Sequence, residues 1–297
     1  MKKITYVVAV VSVFGLVFLG GSSFAQNLWN PGAGPGPQMS MCALYQATGW
    51  DLFEANWLIG HDVESPTGGT LGQISDLVID QANGRIALVV LSNVEHLGAK
   101  EVAIPYSSLV RTFPEDFQLS LGSKETETGF VSGDSGMDPY AYYLAGAPTT
   151  SDLYGIPSVI DSTWLSRIYS RYGQAPYWTE EGQKPIGALG LYRSNKLIGA
   201  ALRSSEGEEV AKVDDLVINP LDGHIVFLSL RNVEGRGDTL VAVPFSILST
   251  SGENTYALNV GKEKLVDAPT FKESDMTDRA WAQNDYRFFS AQPCWTE

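Results

Sequence analysis

Histidine and cysteine are scarce in this chain of 297 residues, which contains three histidines and two cysteines. Catalysis by a serine–histidine pair and zinc binding both require such side chains to converge on one point. His61, His96 and His224 lie far apart, and none of their spacings is typical of a metal site. We therefore expect no catalytic residues, no bound metal and no cofactor, and we expect each histidine to lie at the surface or in a loop.

One tetrapeptide resembles a catalytic motif, because Gly133-Asp134-Ser135-Gly136 matches the surroundings of the nucleophile in chymotrypsin-like proteases. Such a nucleophile needs a histidine within hydrogen-bonding reach and an acid that orients it. None of the three histidines stands in the sequence context of those proteases. The motif is therefore interpreted as part of a polar, glycine-rich loop, and the protein is predicted not to be an enzyme.

Basic residues are also few, with 20 lysines and arginines against 34 acidic residues and a formal net charge of −14. A chain of this charge is repelled by nucleic acids and by anionic lipid surfaces. We therefore expect the partner to be another protein, with no role for nucleic acid.

Long apolar runs are limited to one, from Ile4 to Leu19, preceded by Lys2 and Lys3. Its order of charged, apolar and small residues is that of a secretory signal peptide, with cleavage expected after Ala25. A retained anchor is the alternative, because the run approaches the length that spans a bilayer. No later run is long enough to cross a membrane, so the mature chain is expected in the periplasm or the extracellular space.

The two cysteines, Cys42 and Cys294, stand alone near opposite ends of the chain. In an oxidising compartment such a pair can form a disulfide bond. Their spacing in the sequence does not show whether the two Cα atoms lie within bonding distance. A disulfide between Cys42 and Cys294 therefore remains a hypothesis.

An internal repeat is the strongest feature of the sequence. Shifting the chain by 139 residues aligns Leu58–Gly122 with Leu197–Gly261 without a gap, and 23 of the 65 aligned positions are identical. Chance would give roughly four identities, so the repeat indicates a duplicated module.

The repeated residues fall where a small β structure needs turns and strand ends. Twelve of them are predicted to have structural roles in the two modules: Gly60, Gly199, Asp76, Asp215, Gly84, Gly223, Asn93, Asn232, Glu95, Glu234, Pro105 and Pro244. Gly84 and Gly223 end tight Asn-Gly and Asp-Gly turns, and each proline ends a strand. We expect Asp76 and Asp215 to lie at strand ends and to accept backbone N–H groups there, which is favoured over acid–base catalysis.

Five or six short strands are predicted in each module. The clearest are Asp76–Ile79, Ile86–Leu91, Val102–Pro105 and Phe117–Leu121, with their counterparts Asp215–Ile218, Ile225–Leu230, Val241–Pro244 and Tyr256–Val260. Ser107 and Leu109, with Ser246 and Leu248, follow in a short turn or a single helical turn. The predicted fold class is all-β, with two tandem small β-barrel-like modules joined by a partly helical linker.

The modules resemble the PRC-barrel domain family, named for the cytoplasmic domain of the photosynthetic reaction centre H subunit. The resemblance rests on the opening Leu-Ile-Gly, the strand entered through Asp76 or Asp215, the glycine turn, the following apolar strand and the Val-Ala-Ile-Pro or Val-Ala-Val-Pro ending. It implies a small barrel that serves mostly as an adaptor, and it transfers no functional residue to this chain.

Six segments follow from these patterns. They are a signal peptide (1–25), a flexible N-terminal segment (26–54), module 1 (55–126), a linker with one helix (127–188), module 2 (189–272) and a C-terminal aromatic tail (273–297). The apolar spacing of Ile160, Trp164, Ile168 and Tyr172 predicts the linker helix over Ser158–Tyr172.

Aromatic side chains are concentrated in the linker, where they could form a partner surface. The candidates are Tyr142, Tyr143, Trp164, Tyr177 and Trp178. The alternative, which the sequence favours, is that they pack the linker onto the two modules. The function expected is a non-catalytic binding or scaffold protein; the alternative is a periplasmic small-ligand or stress-response binding protein with its ligand in the cleft between the modules.

Overall fold

The computed structural model describes residues 51–94, 101–112, 116–119, 162–179, 190–250 and 255–293, all of which belong to one compact unit. Module 1 comprises β1 (Phe53–Glu54), α1 (Ala55–Leu58), β2 (Asp62–Glu64), β3 (Thr70–Asp80), β4 (Arg85–Ser92), β5 (Val102–Pro105), a 3-10 turn (Tyr106–Ser108), β6 (Leu109–Thr112), β7 (Asp116–Leu119), α2 (Ser162–Arg171) and a second 3-10 turn (Tyr177–Thr179).

Module 2 repeats this order as far as β14 and then has two further elements before its last helix. It comprises β8 (Leu191–Arg193), α3 (Ser194–Leu197), β9 (Ala201–Arg203), β10 (Glu209–Ile218), β11 (Ile225–Arg231), β12 (Val241–Pro244), a 3-10 turn (Phe245–Ile247), β13 (Leu248–Thr250), β14 (Tyr256–Leu258), α4 (Lys262–Val266), a 3-10 turn (Glu273–Thr277) and α5 (Arg279–Phe288).

The two modules have the same sheet topology. Module 1 has the strand order β5-β4-β3-β2-β7-β6, and module 2 has β12-β11-β10-β9-β14-β13. Neighbouring strands are antiparallel except for β2 with β7 and β9 with β14, which are parallel. The predicted fold class, two small β domains with a partly helical connection, is confirmed.

The long strands β3 and β10 begin earlier than the sequence indicated. The prediction began them at Asp76 and Asp215, whereas they begin at Thr70 and Glu209. A shift of register lies just before each aspartate, between Ile74 and Asp76 and between Val213 and Asp215. Asp76 and Asp215 therefore lie within strands, beside bulges, and the prediction that they lie at strand ends was wrong. One extra residue at a bulge turns the following side chain to a different face of the sheet.

The helix predicted over Ser158–Tyr172 is present as α2, which is described from Ser162 to Arg171. A second repeat relates this helix to α5, at a separation of 117 residues, and matches Trp164 with Trp281 and Tyr169 with Tyr286. The two tyrosines make equivalent contacts, since Tyr169 donates to the carbonyl of Ala87 and Tyr286 to that of Val226, each over 2.8 Å. Ala87 and Val226 are themselves equivalent, so α2 belongs to module 1 as α5 belongs to module 2.

The apolar core is shared between the modules. One cluster of buried side chains includes Leu77, Leu88 and Tyr169 from module 1 and Leu216, Leu228 from module 2. A unit as small as one module buries only about 60% of the surface of its unfolded chain. Packing the modules into a common core adds the apolar burial that each module alone is too small to provide.

The junction between the two modules as candidate functional site

The two glycine turns meet at the centre of the junction. Ile86 donates its N–H to the carbonyl of Gly223, and Ile225 donates its N–H to the carbonyl of Gly84, each over 2.8 Å. Ile86 and Ile225 are equivalent residues, as are the two glycines, so the contacts are reciprocal. An approximate two-fold axis therefore relates module 1 to module 2 at these turns.

An aromatic ring from each module covers the glycine turn of the other. Gly84 and Gly223 have φ angles of 61° and 74°, in the left-handed region that favours glycine. A Cβ at Gly223 would lie 2.8 Å from Cδ1 of Tyr106, and one at Gly84 would lie 3.3 Å from Cδ1 of Phe245. The repeated glycines thus serve the turn and the close approach of the opposite module.

A polar pair lies beside these turns, formed by the buried Arg85 and the half-buried His224. Nε of Arg85 donates to Nδ1 of His224 over 3.0 Å, and the Arg85 guanidinium lies 4.8 Å from the centre of the Tyr177 ring. Burial and the neighbouring Arg85 lower the pKa of His224, which keeps its ring neutral as an acceptor. His224 lies outside the named strands, as the expected loop position implies, but it is half-buried at the two-fold axis, where an isolated bridge pairs it with Arg85.

The other two histidines do not join this pair. The ring of His61 lies 4.5 Å from that of Trp57, in a separate aromatic group of module 1. His96 lies outside the described residues. Across the part of the chain that the structure describes, no group of three or more histidine, cysteine or acidic side chains could hold a metal ion.

Tyr177 was one of the candidates for a partner surface, and the structure places it in the interior instead. Its side chain is buried, and its hydroxyl donates to Oδ2 of Asp80 over 2.7 Å. Burial and the neighbouring Asp80 raise the pKa of Tyr177 well above its usual range. Tyr177 therefore fixes the segment after α2 to module 1, as the packing alternative proposed.

The remaining aromatic candidates have different positions. Trp178 is half-buried against Tyr169 and Tyr177, at centroid distances of 4.8 and 5.1 Å. Trp164 on α2 is also half-buried and packs on the common core. Tyr142 and Tyr143 lie outside the described residues. Trp164 and Trp178 thus keep part of their surface exposed.

Each module also extends its first strand, together with the short helix that follows it, across the junction, and that strand joins the sheet of the other module. We call Asp51–Leu58 the first arm and Gly190–Leu197 the second arm. In the first arm β1 pairs with β10, and in the second arm β8 pairs with β3. The arms cross the junction in opposite directions, so each sheet is completed by the other module.

Asp76 and Asp215 hold these arms in place. Oδ1 of Asp76 accepts the hydroxyl of Ser194 over 2.5 Å and the N–H of Asn195 over 3.3 Å. The carboxylate of Asp215 accepts the N–H of Asn56 over 3.1 Å. Each aspartate therefore satisfies free N–H groups at the start of a short helix from the other module. The prediction that these acids accept backbone N–H groups is confirmed, because Asp76 and Asp215 also accept the N–H groups of Leu77 and Leu216 in their own strands. The sequence did not predict that further partner groups come from across the junction.

The arms are equivalent in backbone but opposite in charge. Arg193 in the second arm lies 2.5 Å from Oδ2 of Asp76 and 3.0 Å from Oε2 of Glu101. Glu54 takes the place of Arg193 in the first arm, and Leu240 takes the place of Glu101. The second arm therefore carries an ion-pair network, whereas the first brings a carboxylate towards Asp215.

This difference changes how Asp215 binds protons. Burial raises the pKa of Asp215 to about 7, and the nearby carboxylates of Glu54 and Asp214 raise it further. The hydrogen bonds from the N–H groups of Leu216 and Asn56 act in the opposite direction and lower it. Burial also raises the pKa of Glu54, assisted by Asp214 and Glu273. Two carboxyls that disfavour ionisation thus meet where the first arm contacts module 2.

The other repeated residues have structural positions in the described parts of both modules. Asn93 and Asn232 have φ angles of 55° and 56°, a conformation that asparagine adopts more readily than most side chains. Gly60 and Gly199 have positive φ, Pro105 and Pro244 end β5 and β12, and Glu234 pairs with Lys262 over 2.5 Å. Glu95, Cys42 and Cys294 lie outside the described residues.

The junction was not predicted from the sequence, although the residues that form it belong to the repeat. The signal was the repetition of Gly84, Arg85 and Ile86 as Gly223, His224 and Ile225. Repetition alone does not reveal that equivalent residues contact each other across an axis.

No helix in the described ranges combines the length and apolar character needed to span a bilayer.

Comparison with known families adds an independent observation. The model of the PRC-barrel domain matches residues 51–118 and 190–265. Both matches begin at an arm, so the arm belongs in sequence to the module that follows it, although it packs on the other module. None of the curated proteins compared matches the chain.

Proposed function

The chain belongs to the PRC-barrel domain family, whose domain it carries in two copies, and we propose that it acts as a non-catalytic binding or scaffold protein exported to the periplasm or cell exterior. The observation that carries this proposal is the reciprocal exchange of arms between the modules. Exchange makes the two modules one body, which is suited to presenting surfaces to a protein partner at a fixed spacing.

The occupied junction supports this function over binding of a small ligand between the modules. The space along the axis contains Tyr106 packed on Gly223, Phe245 packed on Gly84, and the Arg85–His224 pair. A ligand at that place would have to displace these side chains and break the backbone hydrogen bonds of Ile86 and Ile225. The alternative of a ligand-binding cleft is therefore less favoured.

Trp164 and Trp178 are the proposed contact residues for a partner. Large aromatic side chains contribute strongly to binding energy where they become buried at an interface. Both are half-buried and pack against the common core from α2 and from the 3-10 turn that follows it. The formal charge of −14 favours a partner with a basic or neutral surface.

The test is a crosslinking pull-down with the full mature chain from extract of its own compartment. The variants Trp164→Ala and Trp178→Ala are compared with Leu221→Ala, which alters an exposed apolar residue of module 2. We expect one defined partner to be captured by the wild type and by Leu221→Ala, and at least tenfold less of it by the Trp178 variant. Equal capture by all variants, with unchanged circular dichroism, would reject this surface.

The ligand-binding alternative is tested by tryptophan fluorescence during a screen of small metabolites. Saturable quenching by one compound at micromolar concentration would favour the alternative. Its site is then located with Tyr106→Phe, because Tyr106 contacts the carbonyl of Pro220 across the junction. Binding that weakens in this variant would place the ligand between the modules and overturn the scaffold proposal.

A further inference from the structure

The first arm is packed against two parts of module 2. The N–H of Leu52 donates to the carbonyl of Met276 over 3.3 Å, and Leu52 is buried with Val217, Ala282 and Tyr286. The backbone of β1 pairs Phe53 with Ile218 and Glu54 with Val217. If the first arm moved away, an apolar patch and the edge of β10 would both become exposed.

Charged groups around this arm come from each element that packs on it. β1 contributes Glu54, β10 contributes Asp214 and Asp215, and the 3-10 turn before α5 contributes Glu273. The helix α5, which packs on Leu52, contributes Asp285, and burial raises the pKa of that carboxyl to about 8. Two arginines nearby are partly exposed and pair with acids other than Asp215: Arg231 contacts Asp214, and Arg111 contacts Asp51, each over 3.5 Å. Within the described residues, Asp215 has no cationic partner of the kind that Arg193 provides for Asp76.

From this difference between equivalent arms we propose that the first arm is a proton-responsive joint. It stays docked on module 2 while Glu54 or Asp215 is protonated, and it loosens when both carboxyls are ionised. The second arm, with its ion-pair network of Arg193, Asp76 and Glu101, stays docked. The proposal concerns regulation of the exposed surface and does not depend on which partner the protein binds.

The direction of the response follows from proton linkage. The pKa of Asp215 rises from its ordinary value of 3.8 to about 7 in the folded protein. A group whose pKa is raised by folding stabilises the fold fully below its unfolded pKa, and that stabilisation is lost as the pH rises through the folded value. The joint is therefore tightest in acidic solution and loosens steadily as the pH rises from about 4 to about 7, above which Asp215 is ionised in both states and the loosening levels off.

Hydrogen exchange of the full chain between pH 5.5 and 8.5 tests this directly. The N–H of Asn56 donates to Asp215, and its counterpart Asn195 donates to Asp76, so the two amides are matched probes. After correction for the intrinsic rate, we expect the protection of Asn56 to fall about tenfold per pH unit between pH 5.5 and about 7 and to level off at higher pH, while that of Asn195 stays constant. Equal behaviour of the two amides across this range would overturn the proposal.

Two variants identify the groups responsible. Asp215→Asn keeps an oxygen that can accept the Asn56 N–H but cannot ionise, and Glu54→Gln removes the facing charge at a half-buried position. We expect the pH dependence of Asn56 to disappear in the first variant and to shrink at least threefold in the second. Asp285→Asn removes a different buried carboxyl and is expected to leave it unchanged. Persistence of the full response in Asp215→Asn, or its loss in Asp285→Asn, would contradict the assignment.

Discussion

Gly223 is constrained twice, by its own backbone and by the opposite module. Its φ angle of 74° favours glycine, and a Cβ there would lie 2.8 Å from the Tyr106 ring. A real Cβ almost never approaches another atom so closely, so the ring or the turn would have to move. The role of this residue therefore includes contact between the modules as well as the turn that the Asp-Gly step indicated.

We expect Gly223→Ala to lower the free energy of unfolding by about 2–4 kcal/mol, from left-handed strain plus displacement of the ring. Gly207→Ala is the matched control, since Gly207 has a φ angle of 89° and nothing within 4 Å of its Cβ position. It should cost only about 1 kcal/mol. Urea denaturation measures both changes, and equal losses would show that the ring contact contributes nothing.

Asp285 occupies a position that the sequence did not predict. The side chain is buried on α5, and neither of its carboxyl oxygens has a hydrogen-bond partner in the described parts of the structure. The repeat at 117 residues places it opposite Ile168, which is buried in α2. An acid thus occupies a position that is apolar in the other module.

Replacing Asp285 should stabilise the protein in alkaline solution. Burial raises its pKa from 3.8 to about 8, so its stabilising, protonated form is lost as the pH rises through 8. We expect Asp285→Val to raise the free energy of unfolding by about 1–3 kcal/mol at pH 9 and by less at pH 6. The measurement is denaturant unfolding at both pH values, with Ile168→Val as control. A gain that does not depend on pH would contradict a buried, titrating carboxyl.

Among the elements, α2 and α5 show most clearly where prediction from sequence succeeds and fails. The spacing of Trp164, Ile168 and Tyr172 was sufficient to predict α2. Its relation to α5 was missed, because the helices are 117 residues apart whereas the sheets are 139 apart. A search for repeats at one constant separation finds only residues joined by connections of equal length, and the connection between sheet and helix differs in length between the two modules. The linker and the tail were therefore treated as different segments.

Each helix is fixed to its sheet by one tyrosine hydroxyl, and removing that hydroxyl should loosen it. Tyr169→Phe and Tyr286→Phe leave the buried carbonyls of Ala87 and Val226 without a donor, at an expected cost of about 1–2 kcal/mol each. Thermal unfolding with hydrogen exchange measures the loss in each helix.

Tyr192→Phe is the control for this pair, because the buried hydroxyl of Tyr192 has no hydrogen-bond partner in the described structure. Its removal should be neutral or slightly stabilising. If Tyr192→Phe cost as much as the other two variants, the loss would come from altered packing of the rings and not from the hydrogen bonds.

For the whole molecule, the sequence predicted the number and class of the modules but not how they join. The strands Val102–Pro105 and Val241–Pro244 were predicted with their observed limits, because a proline ends each ladder. The pairing of the arms was not predicted, and Phe53–Glu54 was placed in the flexible N-terminal segment, because period-two patterns specify which face of a strand is buried but not which module it pairs with. Long-range pairing of β1 with β10 depends on tertiary packing that local patterns do not contain.

Exchange of arms predicts that a cut between the modules will not separate them. A site for a specific protease, inserted after Gly136, allows the full folded chain to be cleaved once. We expect the two fragments to elute together in size-exclusion chromatography and to unfold in one transition, because each sheet needs a strand from the other fragment. Elution as two separate folded fragments in native buffer would contradict a shared fold.

The approximate two-fold axis also suggests how the two-module chain arose in evolution. Reciprocal contacts between equivalent residues are those of a symmetric homodimer, in which each surface meets its own copy. Joining two such subunits in one polypeptide replaces an association that depends on concentration with one that is permanent. After such a gene fusion, the two copies no longer had to stay identical, so an arginine in one arm and a glutamate in the other could be inherited side by side.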